Sequence, residues 1–346
     1  MSTAGIKVFS ALSVKDHPTI IDDKHSPDLS NVRIDNPIGA LVNMEGISKY
    51  NSVGFGASIV AIHQLNGHIF SLKGGTAGSA SGSLFEGLPT FNDYTAITNC
   101  VELQAMQDNL AGKYYLANDI DCTYCTQNPA GALYNAGAGF APVGDDNTLF
   151  TGIFDGNGHT ITGLYLNRTI ADEGLFGHIS SIAQVKNVGM IDVNINCSQG
   201  QISGLAGTSE GTITNCYSTG EINGRSWTGG LVGINTGTII NCYSTAEVND
   251  TLYYTGGLVG GNTGTITNCY SAGAVSGGSD VGGLIGYNSG GTYNDCFWDI
   301  ETSGQARSAG GTGKLTADMY KEATFTNWDF STIWTIVEDT SYPTLR

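Results

Sequence analysis

Positive charge is scarce in this chain: 14 lysines and arginines stand against 31 aspartates and glutamates, a net charge of −17 over 346 residues. A surface of that sign repels phosphate backbones and anionic headgroups, which excludes nucleic acid as a partner. Long apolar runs are missing too, with nothing approaching the roughly 18 residues a membrane-spanning helix needs, so no membrane insertion is expected. The opening residues Met1 to Phe9 have no basic segment leading into an apolar one. That start reads as a protein made and assembled in the cytoplasm. The six histidines, at 17, 25, 63, 68, 159 and 178, include no His-Glu-x-x-His, which excludes the helical zinc motif of many metallopeptidases. Accordingly no catalytic residue, no cofactor and no bound metal is expected.

What the chain does have is glycine, 50 residues against 7 prolines, and the glycines are placed too regularly for a disordered linker. Four segments repeat: Ser203-Gly-Leu-Ala-Gly207, Gly229-Gly-Leu-Val-Gly233, Gly256-Gly-Leu-Val-Gly260 and Gly282-Gly-Leu-Ile-Gly286. Asn-Cys-Tyr-Ser follows at Asn215, Asn241 and Asn268, and becomes Asn294-Asp-Cys-Phe-Trp298 in the fourth copy. Cys216, Cys242, Cys269 and Cys296 are spaced by 26, 27 and 27 residues, and the last copy carries one extra glycine at Gly290-Gly291. A fixed period of this length marks a solenoid, whose single repeats cannot bury their apolar faces alone.

The repeat is built from Gly, Thr, Ser, Asn, Val and Ile in pieces of two to four apolar residues, which is strand chemistry. One period supplies three short strands and their bends, a single turn of a three-sided coil whose turns stack at about 4.8 Å. Leu205, Leu231, Leu258 and Leu284 form one expected internal ladder. Ile213, Ile239, Ile266 and then Tyr293 form a second, and the repeat cysteines a third. Asn215, Asn241, Asn268 and Asn294 suit a bend where stacked amides bond from turn to turn. Tyr217, Tyr243 and Tyr270 read as a stack along the outer wall.

Gly-Gly-Leu-Val-Gly with Asn-Cys-Tyr-Ser resembles the GLUG repeat of bacterial and viral surface proteins. The resemblance implies a β-solenoid stalk of the kind found in adhesins and phage fibre-like proteins, and it implies no reaction. The expected fold is all-β: a right-handed parallel β-helix of about seven coils with an N-terminal β-rich attachment domain and an aromatic C-terminal cap.

Residues 1–82 read as that attachment and oligomerisation domain, with a polar arm through Asn36, strands around 58–63 and 68–71, and a small-residue linker at 74–82. The solenoid is assigned to 83–300, with the repeats at 203–298, and the cap to 301–346. A helix is expected over Ile97–Asn109, lying across the first coil, and a short one from Thr316 with that residue as its N-cap. The repeat cysteines read as small core residues in a reducing assembly site. Cys122-Thr-Tyr-Cys125 lacks a second pair for zinc and reads as a loop disulfide or two free thiols.

The residues offer two kinds of candidate site. Asp119 with Asp121, Asp145 with Asp146, and Asp155 with Glu173 are the carboxylate pairs an acid–base site would use. Turn chemistry and solvated acid are the reading for them, with calcium at an acidic turn as the alternative. The variable bend before each Gly-Gly-Leu holds Trp227 in one coil and Tyr253 and Tyr254 in the next, an aromatic strip suited to glycan or receptor contact. The reading is a non-enzymatic structural or adhesive protein. Foremost is a homo-oligomeric virion fibre or decoration protein, docked on capsid or tail through residues 1–82. A secreted cell-surface adhesin is the alternative, and a glycan-depolymerising spike the third.

Overall fold

The computed structural model describes residues 31–34, 40–43, 50–51, 62–65, 68–71, 93–169 and 172–346. The chain divides into two units, Met1–Thr90 and Phe91–Arg346. In the first, Asn31–Ile34, Ala40–Asn43 and Tyr50–Asn51 make an antiparallel three-stranded sheet, and Ile62–Leu65 pairs antiparallel with His68–Ser71. The expected polar arm therefore contains a strand, and the expected linker at 74–82 lies outside the described residues.

The second unit is a parallel β-solenoid with three sheets as its walls. The first sheet has eight strands running from Thr95–Ile97 to Thr292–Asn294. The second runs from Ile120–Asp121 to Thr312–Lys314 and includes the long strands Tyr217–Gly229 and Glu247–Gly256. The third holds five, Phe176–Ile179, Ala206–Ser209, Val232–Asn235, Val259–Asn262 and Ile285–Asn288. Five turns are thus complete on all three sides, against the seven expected. The early turns lack a third wall because residues 122–150 leave the coil. They make a short helix, Thr123–Gln127, and pair with the third sheet through the single bridges Val143↔Phe176 and Phe150↔Ile179.

The repeat motif explains itself in this frame. Leu205, Leu231, Leu258 and Leu284 are completely buried, as are Ile213, Ile239 and Ile266. Each such side chain contributes roughly 1.5–3 kcal/mol of transfer free energy. The motif serine turns inward to the next Gly-Gly corner: Ser218 Oγ donates to Gly230 O at 2.6 Å and Ser271 Oγ to Gly283 O at 2.5 Å. A Cβ on Gly230 would stand 2.2 Å from Gly257 O, so only glycine lets neighbouring corners approach this closely.

The asparagine ladder forms at the bends, with Asn215 and Asn241 at φ 54° and 53° and each amide donating to the turn before. Two ladder assignments change in the last turn. The extra glycine is absorbed before Thr292, which keeps register with Thr265, so Asp295 at φ 49°, not Asn294, takes the bend position. Tyr293 keeps register with Ile266 yet is 42% exposed. Its strand is the final one of the first sheet, so no further turn covers the ring.

Cysteine pairing also differs from expectation. Cys122 points into the core and is bonded to Cys100, with Cα atoms 5.4 Å apart, while Cys125, one helical turn on, is half-buried and free. The expected helix over 97–109 is shorter, Cys100–Gln104 followed by a 3₁₀ turn at Ala105–Asp108, and Asn99 caps it. Thr316 begins the C-terminal helix as its first residue and caps nothing.

At the C-terminal end, Thr312–Lys314 adds a parallel strand beyond Phe297–Asp299. The remaining tail lies along the flank of the second sheet. Tyr217, Tyr243 and Tyr270 stack with centroids 4.7 and 5.0 Å apart and planes within 7°. Trp328, Trp334 and Phe325 then bury the Tyr243–Tyr270–Phe297 end of that stack. The cap therefore covers a side wall as well as an edge.

Candidate ligand-binding surface

The expected aromatic strip assembles on the solenoid. Register places Ser226 opposite Tyr253 and Thr228 opposite Thr255, which sets Trp227 beside Tyr254 on the next turn. Their ring centroids are 4.1 Å apart, and Tyr253 meets Tyr254 edge-on at 4.8 Å. Trp227 and Tyr254 have φ of 55° and 67°. A bulky side chain in that region costs on the order of 1–3 kcal/mol of backbone strain, held in place by the surrounding ladder. Asp280 occupies the same bend one turn later, at φ 52°.

Two members of this surface were missed. Tyr287, on the third sheet, lies 4.8 Å from Tyr254 and 6.0 Å from Trp227. Gly261, its register partner, is where the Trp227 ring rests. Both fill the middle position of the recurring Gly-x-Asn (Gly233-Ile234-Asn235, Gly260-Gly261-Asn262, Gly286-Tyr287-Asn288). That variable position was the signal to follow. Tyr253 and Tyr287 are 40% and 38% exposed and Leu252 39%, while Trp227 and Tyr254 are half-buried.

Beneath the strip sits Asp250. It accepts a short hydrogen bond from Thr228 Oγ1 and one at 2.7 Å from Leu252 N. Burial nevertheless holds its carboxyl above the usual range. Beside it runs a polar row in which Asn223 donates to Asn196 at 2.9 Å and Asn249 to Asn223 at 3.2 Å. Tilted and edge-on rings beside amides and a carboxylate give apolar faces with directional hydrogen-bond partners alongside.

The anticipated carboxylate pairs are not brought together as acid–base partners. Asp119 accepts from Thr160 N and faces His159, and Asp121 accepts from Thr123 N. Asp145 accepts the amides of Asn147 and Thr148 within its own turn. Asp155 pairs with Lys186 at 3.3 Å, whereas Glu173 is fully buried 3.7 Å from Arg168 Nε, its carboxyl pushed up to about 8 by burial. Gly207-Thr-Ser-Glu-Gly211 has the spacing of a nucleophile elbow. It leads from one strand into another, and Ser209 is completely buried, so it lacks the strand–turn–helix setting that exposes a nucleophile. The structure does gather Asp146, Asp172 and His178, residues with metal-ligand chemistry.

Residues 226–249 and 251–276 match the family model described as the GLUG motif. Halomucin of Haloquadratum walsbyi is 34% identical over 160 residues, 44% of this chain and 2% of its own length. A protein named "Putative Gly-rich membrane protein" from Evansella cellulosilytica is 30% identical over 146 residues, 40% of this chain and 16% of its own. The chain thus spans only a small part of the length of either relative. Among solved structures, one titled "putative immunoglobulin A1 protease" from Bacteroides ovatus superposes with a TM-score of 0.57 at 19% identity, covering 72% of this chain and 91% of that one. That likeness is one of fold. Family match and architecture agree: the chain carries GLUG-motif repeats wound as successive turns of a parallel β-solenoid.

Proposed function

We propose that this is a non-enzymatic cell-surface protein whose solenoid presents Trp227, Tyr253, Tyr254 and Tyr287 to the sugar rings of a glycan. The observation that carries the reading is the aromatic surface on adjoining turns, in which Tyr253 and Tyr287 are exposed and Trp227 and Tyr254 half-buried between them. Flat apolar ring faces beside hydrogen-bonding side chains match the alternation of C–H faces and hydroxyls on a sugar. The surface location is favoured over a virion by the relatives, which are proteins of cellular organisms, one of them named a membrane protein. The Cys100–Cys122 disulfide also belongs to an oxidising compartment, not to a reducing assembly site. In this reading the first unit anchors the protein and self-associates.

A glycan array probed with the full chain, followed by titration calorimetry on the best ligand, tests the reading. Trp227→Ala and Tyr287→Ala should each weaken binding about tenfold, or about 1.4 kcal/mol. Absence of any bound glycan, or variants that bind like the parent, would refute it.

A further inference from the structure

The third wall of the solenoid begins where the irregular excursion meets its first regular strand, and three chain segments converge there. Asp146 lies in the turn between the bridging residues Val143 and Phe150, Asp172 precedes the strand Phe176–Ile179, and His178 lies on that strand. One ligand atom from each of the three lies within 4.8 Å of the others, and His178 Nδ1 is 3.0 Å from Asp146 Oδ1. Ligand atoms on a tetrahedral zinc with bonds of about 2 Å stand roughly 3.3 Å apart, so the set must draw together to close on the ion.

The local charges are unbalanced. Asp172 is 3% exposed and Asp146 stands against it, with Thr208 Oγ1 donating to Asp172 at 3.2 Å. Glu210 approaches His178 Nε2 at 3.4 Å, outside hydrogen-bond geometry, and that enclosed nitrogen has no hydrogen-bond partner among the described residues. Three carboxylates therefore surround one imidazole, and the Arg168 guanidinium stands 3.7 Å from the buried Glu173. Burying a carboxylate beside another is costly unless a cation or a shared proton joins them. The backbone is built for the approach: a Cβ on Gly207 would stand 2.6 Å from Asp172 Cα, and one on Gly177 would stand 2.3 Å from Gly144 O. Asp172 also lines a cavity of about 310 Å³ with Gln107, Pro142 and Arg168, a path for a hydrated ion.

We infer that Asp146, Asp172 and His178 bind a divalent first-row transition-metal cation, with Glu210 facing the other ring nitrogen, Nε2, of the imidazole. Mixed imidazole and carboxylate donors favour zinc or manganese over calcium, which takes oxygen ligands in larger number. Such an ion would tie the excursion to the first turns of the third sheet.

The test is equilibrium dialysis and calorimetry of the metal-stripped full chain with Zn²⁺, beside Asp172→Asn and His178→Gln. The parent should take up one equivalent more than either variant, or bind that equivalent at least tenfold more tightly, and excess Zn²⁺ should raise the thermal midpoint of the parent alone. Equal stoichiometry and equal thermal shifts in all three would overturn the inference. So would displacement of the ion by an equal concentration of Ca²⁺. Should Asp172→Asn fail to fold by circular dichroism, His178→Gln decides the matter.

Discussion

The indole of Trp227 rests on Gly261 of the following turn, so closely that a Cβ there would stand 2.4 Å from the ring carbon Cζ3. The glycine acts as a seat, and it makes the aromatic surface depend on a residue with no side chain of its own. Gly261→Ala should displace the ring and weaken glycan binding by about tenfold, with an overpacking cost of about 1–3 kcal/mol. In the background of Trp227→Ala the same change should cost markedly less, because its clash is gone. A double-mutant cycle read by denaturant unfolding measures this coupling, and additivity would show that the ring does not rest there.

Asp250 gives the surface a pH signature. Burial raises its folded carboxyl above the ordinary value, and the hydrogen bonds from Thr228 and Leu252 offset only part of that. For an acid with a raised folded pKa, the linked stability is fully present below the unfolded pKa and is lost as pH rises through the folded one. Asp250→Asn removes this loss. The thermal midpoint of the variant relative to the parent should therefore be higher at pH 7 than at pH 4. A difference that is constant, or that shrinks toward pH 7, would contradict the assignment.

The cysteines differ sharply in access. Cys197, Cys216, Cys242, Cys269 and Cys296 are buried, Cys100 and Cys122 are bonded, and Cys125 is the half-buried thiol of the excursion. A disulfide-exchange reagent under native conditions should react rapidly with one thiol and reach the other five only on unfolding. Cys125→Ser should abolish the fast phase. A second fast thiol in the parent would mean that the cysteine ladder opens.

Most of the solenoid could be read from the sequence because its walls are periodic: leucine, isoleucine, cysteine and asparagine each return to one position, and stacking converts a period into a contact. The ladder failures lie where the period is broken or ends. Asp295 replaces Asn294 at the bend because one glycine was inserted upstream, and Tyr293 surfaces because its wall has no further strand. The Cys100–Cys122 bond joins residues brought together by the first coil, which a local Cys-x-x-Cys reading cannot see. Of the aromatic surface, the half carried by one bend was visible. Tyr287 and Gly261 come from another wall, and only the three-sided winding places them under the same rings.

The bend asparagines separate two contributions that the motif merges. Asn241 sits at φ 53° and donates its amide to Asn215 Oδ1 at 3.3 Å, while Asn268 donates to Asn241 Oδ1 at 3.4 Å. Asn241→Gly keeps the left-handed backbone accessible and deletes both ladder bonds. Asn241→Ala deletes the same bonds and also forces a Cβ into that region, at a further cost of about 1 kcal/mol. Equilibrium unfolding should rank parent above glycine above alanine, with the parent-to-glycine step near 1 kcal/mol, since bonds this long are weak. If glycine and alanine destabilise equally, backbone handedness has no part in the motif's preference for asparagine. If glycine equals the parent, the ladder bonds contribute nothing, and the asparagine is there for the turn alone.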